Sequence, residues 1–163
     1  MTFKILIIAL CAALGTATGY LIMKAYKRKA SYMSGLCALI GELKRNISYR
    51  RDAAASVAEG FSSSTESGLL KKHIDEYKAF VADKNGELVL SRSFLTKDAY
   101  SSVSSFFAAL GKTDEASQLD ELEMYYKDFS ERLAKASAES DKYGALAVKL
   151  GFLLGLGVGV LFL

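Results

Sequence analysis

At 163 residues, 51% hydrophobic and 24% charged, the chain is too apolar for a disordered polar tract and long enough for one domain with a real core. Its formal charge of +3 is not the footprint of a nucleic-acid binder, because all 18 acidic residues fall between Glu42 and Asp141, and Ala30 to Lys142 carries 15 Lys and Arg, a net charge of −3. The other six cations, Lys4, Lys24, Lys27, Arg28, Lys29 and Lys149, each flank a hydrophobic run, and proline is absent, so nothing in the sequence forces a kink in a long helix.

Residues 5 to 23, ILIIALCAALGTATGYLIM, hold no charge and are bracketed by Lys4 and Lys24. At 1.5 Å per residue they span about 28 Å, the length of a transmembrane helix. A cleaved signal peptide is the rival reading, opposed by the YKRK that follows directly. From Tyr26 the chain continues as a helix with an apolar stripe of Tyr32, Leu36, Leu39, Ile40, Leu43 and Ile47, so the membrane helix and the helix beyond it can form one rod. The pattern breaks around Tyr49, Arg50 and Arg51, an aromatic with two cations at a helix junction. That composition is enriched in protein contacts and makes the three a candidate partner surface, with a solvated turn as the alternative.

Asp52 is a plausible N-cap for a short helix through Glu59, and GFSSSTESG at 60 to 68 reads as a loop. Leu69, Leu70, Ile74, Tyr77, Phe80 and Val81 describe another amphipathic helix, stopped near Asn85 and Gly86. His73, the only histidine, lies on it between Lys72 and Asp75 and is expected as a solvated side chain on a polar face. ELVL at 87 to 90 is the one brief strand-like run. Thr96 or Asp98 opens a helix that buries Val103, Phe106, Phe107 and Leu110 before Gly111 ends it. Thr113 or Asp114 restarts the chain as a long helix whose Leu119, Leu122, Tyr126, Phe129, Leu133 and Ala136 form a heptad seam, broken by Ser140.

The tail YGALAVKLGFLLGLGVGVLFL occupies residues 143 to 163, but Lys149 interrupts it, and the longer uncharged stretch, after Lys149, is too short by itself to cross a bilayer. Entering as one helix, the whole tail spans about 31 Å with Lys149 near one face, its stem buried and its ammonium snorkelling to the headgroups. Gly15 and Gly19 form one GxxxG; Gly151, Gly155 and Gly159 form two in succession. Such faces let helices approach closely in lipid, here on each other or on partner helices. The cations at 24 to 29 against Lys4, and Lys142 and Lys149 before a tail with none after it, place the middle of the chain in the cytoplasm. The expected organisation is a transmembrane anchor at 1–26, a cytoplasmic α-helical domain at 27–142 and a transmembrane helix at 143–163, an all-α bundle between two membrane helices.

No catalytic constellation assembles from this sequence. Gly111-Lys112-Thr113 resembles the end of a phosphate-binding loop, but Phe106 stands where its first glycine belongs and no strand precedes it. Cys11 and Cys37 sit in no metal-binding spacing. The expectation is a non-enzymatic protein without cofactor, metal, small-molecule substrate or nucleic-acid partner.

Taken in order, the N-terminal anchor running into LIGELKRNISY at 39 to 49, the junction ALGKTDEASQL at 109 to 119, and KYGALAVKLGFLLGLGVGVLFL at 142 to 163 resemble the stage III sporulation protein AB family. Leu110, Gly111, Asp114 and Gln118 match that family's helix junction. The resemblance implies a mother-cell membrane component of the transenvelope complex joining mother cell and forespore. It further implies a cytoplasmic bundle similar to the platform protein of type II secretion and type IV pilus systems, and a companion stage III sporulation ATPase as partner alongside other membrane components. Two alternatives stay open: a membrane-anchored adaptor unrelated to sporulation, and a small pore-forming protein, against which stands the absence of a polar face on the tail.

Overall fold

In a computed structural model, residues 2–49, 54–83, 87–112 and 115–161 are described, and among them the regular structure is entirely helical. Helix α1 runs unbroken from Thr2 to Tyr49, followed by α2 (Ala54–Ser62), α3 (Gly68–Ala82), α4 (Lys97–Ala109), α5 (Glu115–Glu139), one π-helical turn (Ser140–Gly144) and α6 (Ala145–Leu161). The chain divides into two compact units, one of Met1–Ala30 with Ala134–Leu163 and one of Ser31–Leu133.

The Ser31–Leu133 unit is a helical bundle in the manner of a water-soluble protein. Tyr32, Leu36, Leu39, Ile40 and Leu43 of α1 are fully buried, because their 3.6-residue spacing lines one face. Against that stripe come Leu70 and Ile74 of α3, Val103, Phe106 and Phe107 of α4, and Phe129 of α5, also fully buried. Phe106 is the hub of the aromatics, its ring 5.0 Å from Phe107, 5.5 Å from Tyr125 and 5.6 Å from Phe129, each in an edge-on arrangement that aligns ring edge with ring face.

Local signals set the helix ends. Ser67 caps α3 by accepting from the Leu70 amide, and Thr96 caps α4 by accepting from the Ala99 amide, so Thr96 is the cap and Asp98 takes the first turn, where its charge suits the helix dipole. Leu110 closes α4, and Gly111 follows at φ +76°, a left-handed conformation that costs glycine nothing. The loop expected over 60–68 is shorter, since α2 continues to Ser62 and α3 starts at Gly68. The strand-like run at 87–90 pairs with no strand among the described residues. Its backbone is held by side chains instead: Glu76 accepts from the Ser91 amide at 2.9 Å and Tyr100 donates to the Leu90 carbonyl at 3.1 Å. Leu90 is thereby buried while Val89 stays exposed.

Two expectations about burial are corrected. In α5 the core-facing residue is Tyr125, packed on Phe106 and Phe129, and Tyr126 is 41% exposed. Adjacent tyrosines lie about 100° apart on a helix and only one can point inward; their identical hydrophobicity hid which. His73 is fully buried rather than solvated, because Leu70, His73, Ile74 and Tyr77 share one face of α3 and the charges beside it in sequence do not.

Candidate functional site

The unit of Met1–Ala30 and Ala134–Leu163 is built on the opposite plan. Its two helices carry the apolar segments long enough to cross a membrane, with mean hydropathy 2.2 within Ile5–Asn46 and 2.0 within Ala116–Leu161. Only 11% and 17% of those apolar segments are buried, which sets them apart from the core helices of a soluble bundle. Leu6, Leu14, Leu21, Leu153 and Leu154 all point outward, each 60% exposed or more. The hydroxyls of Thr16 and Thr18 donate to the carbonyls of Ala12 and Leu14 one turn back, at 2.7 and 2.9 Å, so neither hydroxyl is left unpaired on these apolar helices.

What lies between the helices is glycine. A Cβ on Gly15 would fall 2.2 Å from the carbonyl oxygen of Gly151, and one on Gly151 would fall 2.3 Å from that of Gly15. Likewise Gly155 meets the Cys11 carbonyl at 2.4 Å, Gly19 the Ala147 carbonyl at 2.4 Å, and Gly159 the Cα of Ile8 at 2.9 Å. Each pairing advances along α1 as it retreats along α6, so the two run antiparallel with backbones in contact. At Gly15, Gly19, Gly151 and Gly155 the glycine hydrogens that replace these side chains point at the opposing carbonyl oxygens, the geometry of Cα–H···O contacts. All five glycines of the two GxxxG stretches are thus brought to one seam, while Gly157 meets nothing within 4 Å. Beside the seam an apolar groove of about 620 Å³ runs between Leu14, Ile22, Leu150, Leu154 and Val158.

The π-turn sets the phase of this seam. Two α-helical turns from buried Ala136 would bring round residue 143, about 7.2 residues on. The wider turn over Ser140–Gly144 brings Gly144 instead, whose Cβ position lies 3.1 Å from Cγ of Met23. Tyr143 then stacks on Tyr26 with ring centroids 6.1 Å apart, and Lys29 pairs with Glu139 at 3.0 Å. Lys149, exposed, sits level with the stretch from Gly15 to Gly19, roughly 7 Å along the axis from Gly144 at 1.5 Å per residue.

The remaining predicted residues do not gather into one place. Leu110 and Gln118 are buried at the α4–α5 junction with Gly111 exposed beside them; Leu110 accepts a hydrogen bond from Tyr77 at 3.3 Å, and Asp114 lies outside the described residues. Tyr49 ends α1, and Arg50 and Arg51 lie outside the described residues.

Sequence reasoning missed the polar cluster around His73. Its Nε2 faces the Ser91 carbonyl at 2.7 Å and must donate, which leaves Nδ1 to accept from the Tyr32 hydroxyl at 2.7 Å. Burial lowers the His73 pKa, opposed by the Ser91 carbonyl and Glu76; burial likewise raises that of Tyr32. Phe94 and Phe107 close over the pair. A neutral imidazole with both nitrogens committed is a structural tie between α1, α3 and the 87–96 segment, not a free base. The signal that finds it is the 70-73-74-77 spacing. Among the described residues no group of three or more His, Cys, Asp or Glu gathers to hold a metal.

Fold and seam together define a class: an all-α protein whose two outer helices are of membrane length and grip each other through glycine. Residues 4–163 match the stage III sporulation protein AB family, and the chain belongs to that family. No curated protein and no solved structure matches it.

Proposed function

We propose that the protein is a non-enzymatic platform of the sporulation transenvelope complex between mother cell and forespore. It is anchored in the mother-cell membrane, with residues 27–142 in the cytoplasm, where they dock the companion secretion-type ATPase. The observation that carries this reading is the antiparallel glycine seam: two membrane-length legs at either end of the region return the chain to the side it left, so everything between them shares one compartment. The distribution of cations supports the cytoplasm as that compartment, since Lys24, Lys27, Arg28, Lys29 and Lys142 lie at the inner ends of the two legs. The commitment of His73 to two hydrogen bonds supports a scaffolding role over catalysis.

The test is capture of the ATPase by the full-length protein in detergent and by its 30–142 fragment. Binding that Tyr49→Ala with Arg50→Ala and Arg51→Ala weakens about tenfold or more, as truncated anchor residues at interfaces do, places the contact at the first junction. If neither full-length protein nor any truncation binds, the platform reading is wrong. Deletion that leaves spore formation intact favours an adaptor unrelated to sporulation.

A further inference from the structure

Just beyond its uncharged run, α1 carries Lys24, Lys27, Arg28 and Lys29. Lys29 is committed to Glu139. Lys24, Lys27 and Arg28 are exposed and make no ion pair among the described residues. The π-turn adds a cation from the other leg: exposed Lys142 holds its Nζ 5.3 Å from the centroid of the Tyr143 ring, and that ring stacks on Tyr26. Gly144 against Met23 fixes the level at which the turn meets α1, which is where the apolar run ends. Two acids share this collar. Glu139 is neutralised by Lys29, and only Asp141 is left against four uncommitted cations.

A positive collar with stacked tyrosines at the rim of a membrane-length helix pair has the chemistry of a headgroup site. Tyrosine favours headgroup depth, where its ring is apolar and its hydroxyl wet. Basic residues next to a membrane span attract anionic lipids, and the Arg28 guanidinium presents a fork that fits a phosphodiester. We propose that Lys24, Lys27 and Arg28 of α1, with Lys142 of the π-turn, bind the phosphodiester headgroup of an anionic phospholipid, and that this lipid fastens the two legs at the membrane surface. The proposal rests on α1 and α6 spanning a bilayer.

The test uses full-length protein in nanodiscs of phosphatidylcholine with a minor fraction of phosphatidylglycerol. Lipid retained after transfer to detergent is counted by native mass spectrometry. The wild type should retain phosphatidylglycerol well above its share of the bilayer. Lys142→Gln should lower that enrichment by about fivefold, the worth of one cation near an anionic surface, and Lys24→Gln with Lys27→Gln and Arg28→Gln should abolish it, while Lys71→Gln with Lys72→Gln leaves it unchanged. Retention of the two lipids in proportion to their shares of the bilayer by the wild type, enrichment that survives the triple substitution, or displacement of the lipid by millimolar inorganic phosphate overturns the headgroup site. A wild type that carbonate strips from membranes overturns the membrane reading itself, whereas one that resists carbonate and shows no enrichment overturns the lipid site alone.

Discussion

The two units of this chain use apolar residues in inverse ways. In Ser31–Leu133 the core is made of large side chains, with Tyr32, Phe106, Phe107 and Phe129 fully buried. In the unit of the two outer helices the leucines face out, and the interior is made of Gly15, Gly19, Gly151, Gly155 and Gly159. The difference is the one expected between a unit in water and a helix pair long and apolar enough for a bilayer. Water rewards removal of apolar area, so large residues go inside. Hydrocarbon offers no such reward, and helices hold together by how closely their backbones approach, which only the smallest residues allow.

That contrast is broken most directly at the seam. Gly155→Ile places a branched side chain where even a Cβ would lie 2.4 Å from the Cys11 carbonyl oxygen. The helix pair should separate, seen as loss of the folded, monodisperse species in detergent and of co-purifying membrane partners. Gly157→Ile, on an open face, should leave both unchanged; equal damage from the two would mean that the seam is not what holds the legs. In the other unit the damage comes from making a residue smaller. Phe106→Ala should cost about 3–5 kcal/mol in thermal or denaturant unfolding, the range for emptying an aromatic site.

The next effect is pH-dependent. Because burial lowers the His73 pKa, the native state binds fewer protons than the unfolded chain once pH falls below the ordinary imidazole value of about 6.5. The contribution is therefore complete above that value and is lost as pH falls through the lowered one. With no other histidine in the chain, the stability of full-length protein should fall between pH 7 and 5.5. His73→Leu should cost about 1–3 kcal/mol at pH 8, by stranding the Tyr32 hydroxyl and the Ser91 carbonyl, and should flatten that slope. A slope that survives the substitution would assign it to other groups.

Smaller still is the difference between the neighbouring tyrosines. Tyr125→Ala should cost roughly 2 kcal/mol more than Tyr126→Ala in the same melt, since one ring packs between Phe106 and Phe129 and the other is open to solvent. Reversal of that order would mean that α5 is rotated. The smallest effect is expected at Lys29 and Glu139, both more than a third exposed: Glu139→Gln should change stability by no more than about 1 kcal/mol, and less at high salt.

How legible each part was depends on whether its signal is local. Thr96, Gly111 and the apolar stripes of α1, α3 and α4 were readable because caps, left-handed glycine and 3.6-residue spacing act within one or two turns. The heptad seam of α5 misassigned its aromatic because Tyr125 and Tyr126 are equal in kind, and only the position of Phe106 on another helix separates them. His73 was misplaced for a related reason: its sequence neighbours are charged, while its neighbours on the helix face are Leu70, Ile74 and Tyr77.

By itself the sequence determined an all-α chain, two runs of membrane length and glycines at four-residue spacing on both, since hydropathy and period are properties of a single helix. Only the tertiary structure decided that those glycines meet each other within one chain, that a π-turn rephases α6 onto α1, and that a histidine from α3 closes on a tyrosine from α1. Periodicity states which residues share a face. What the face meets depends on elements far away in sequence, and a four-residue glycine spacing is equally suited to any close partner.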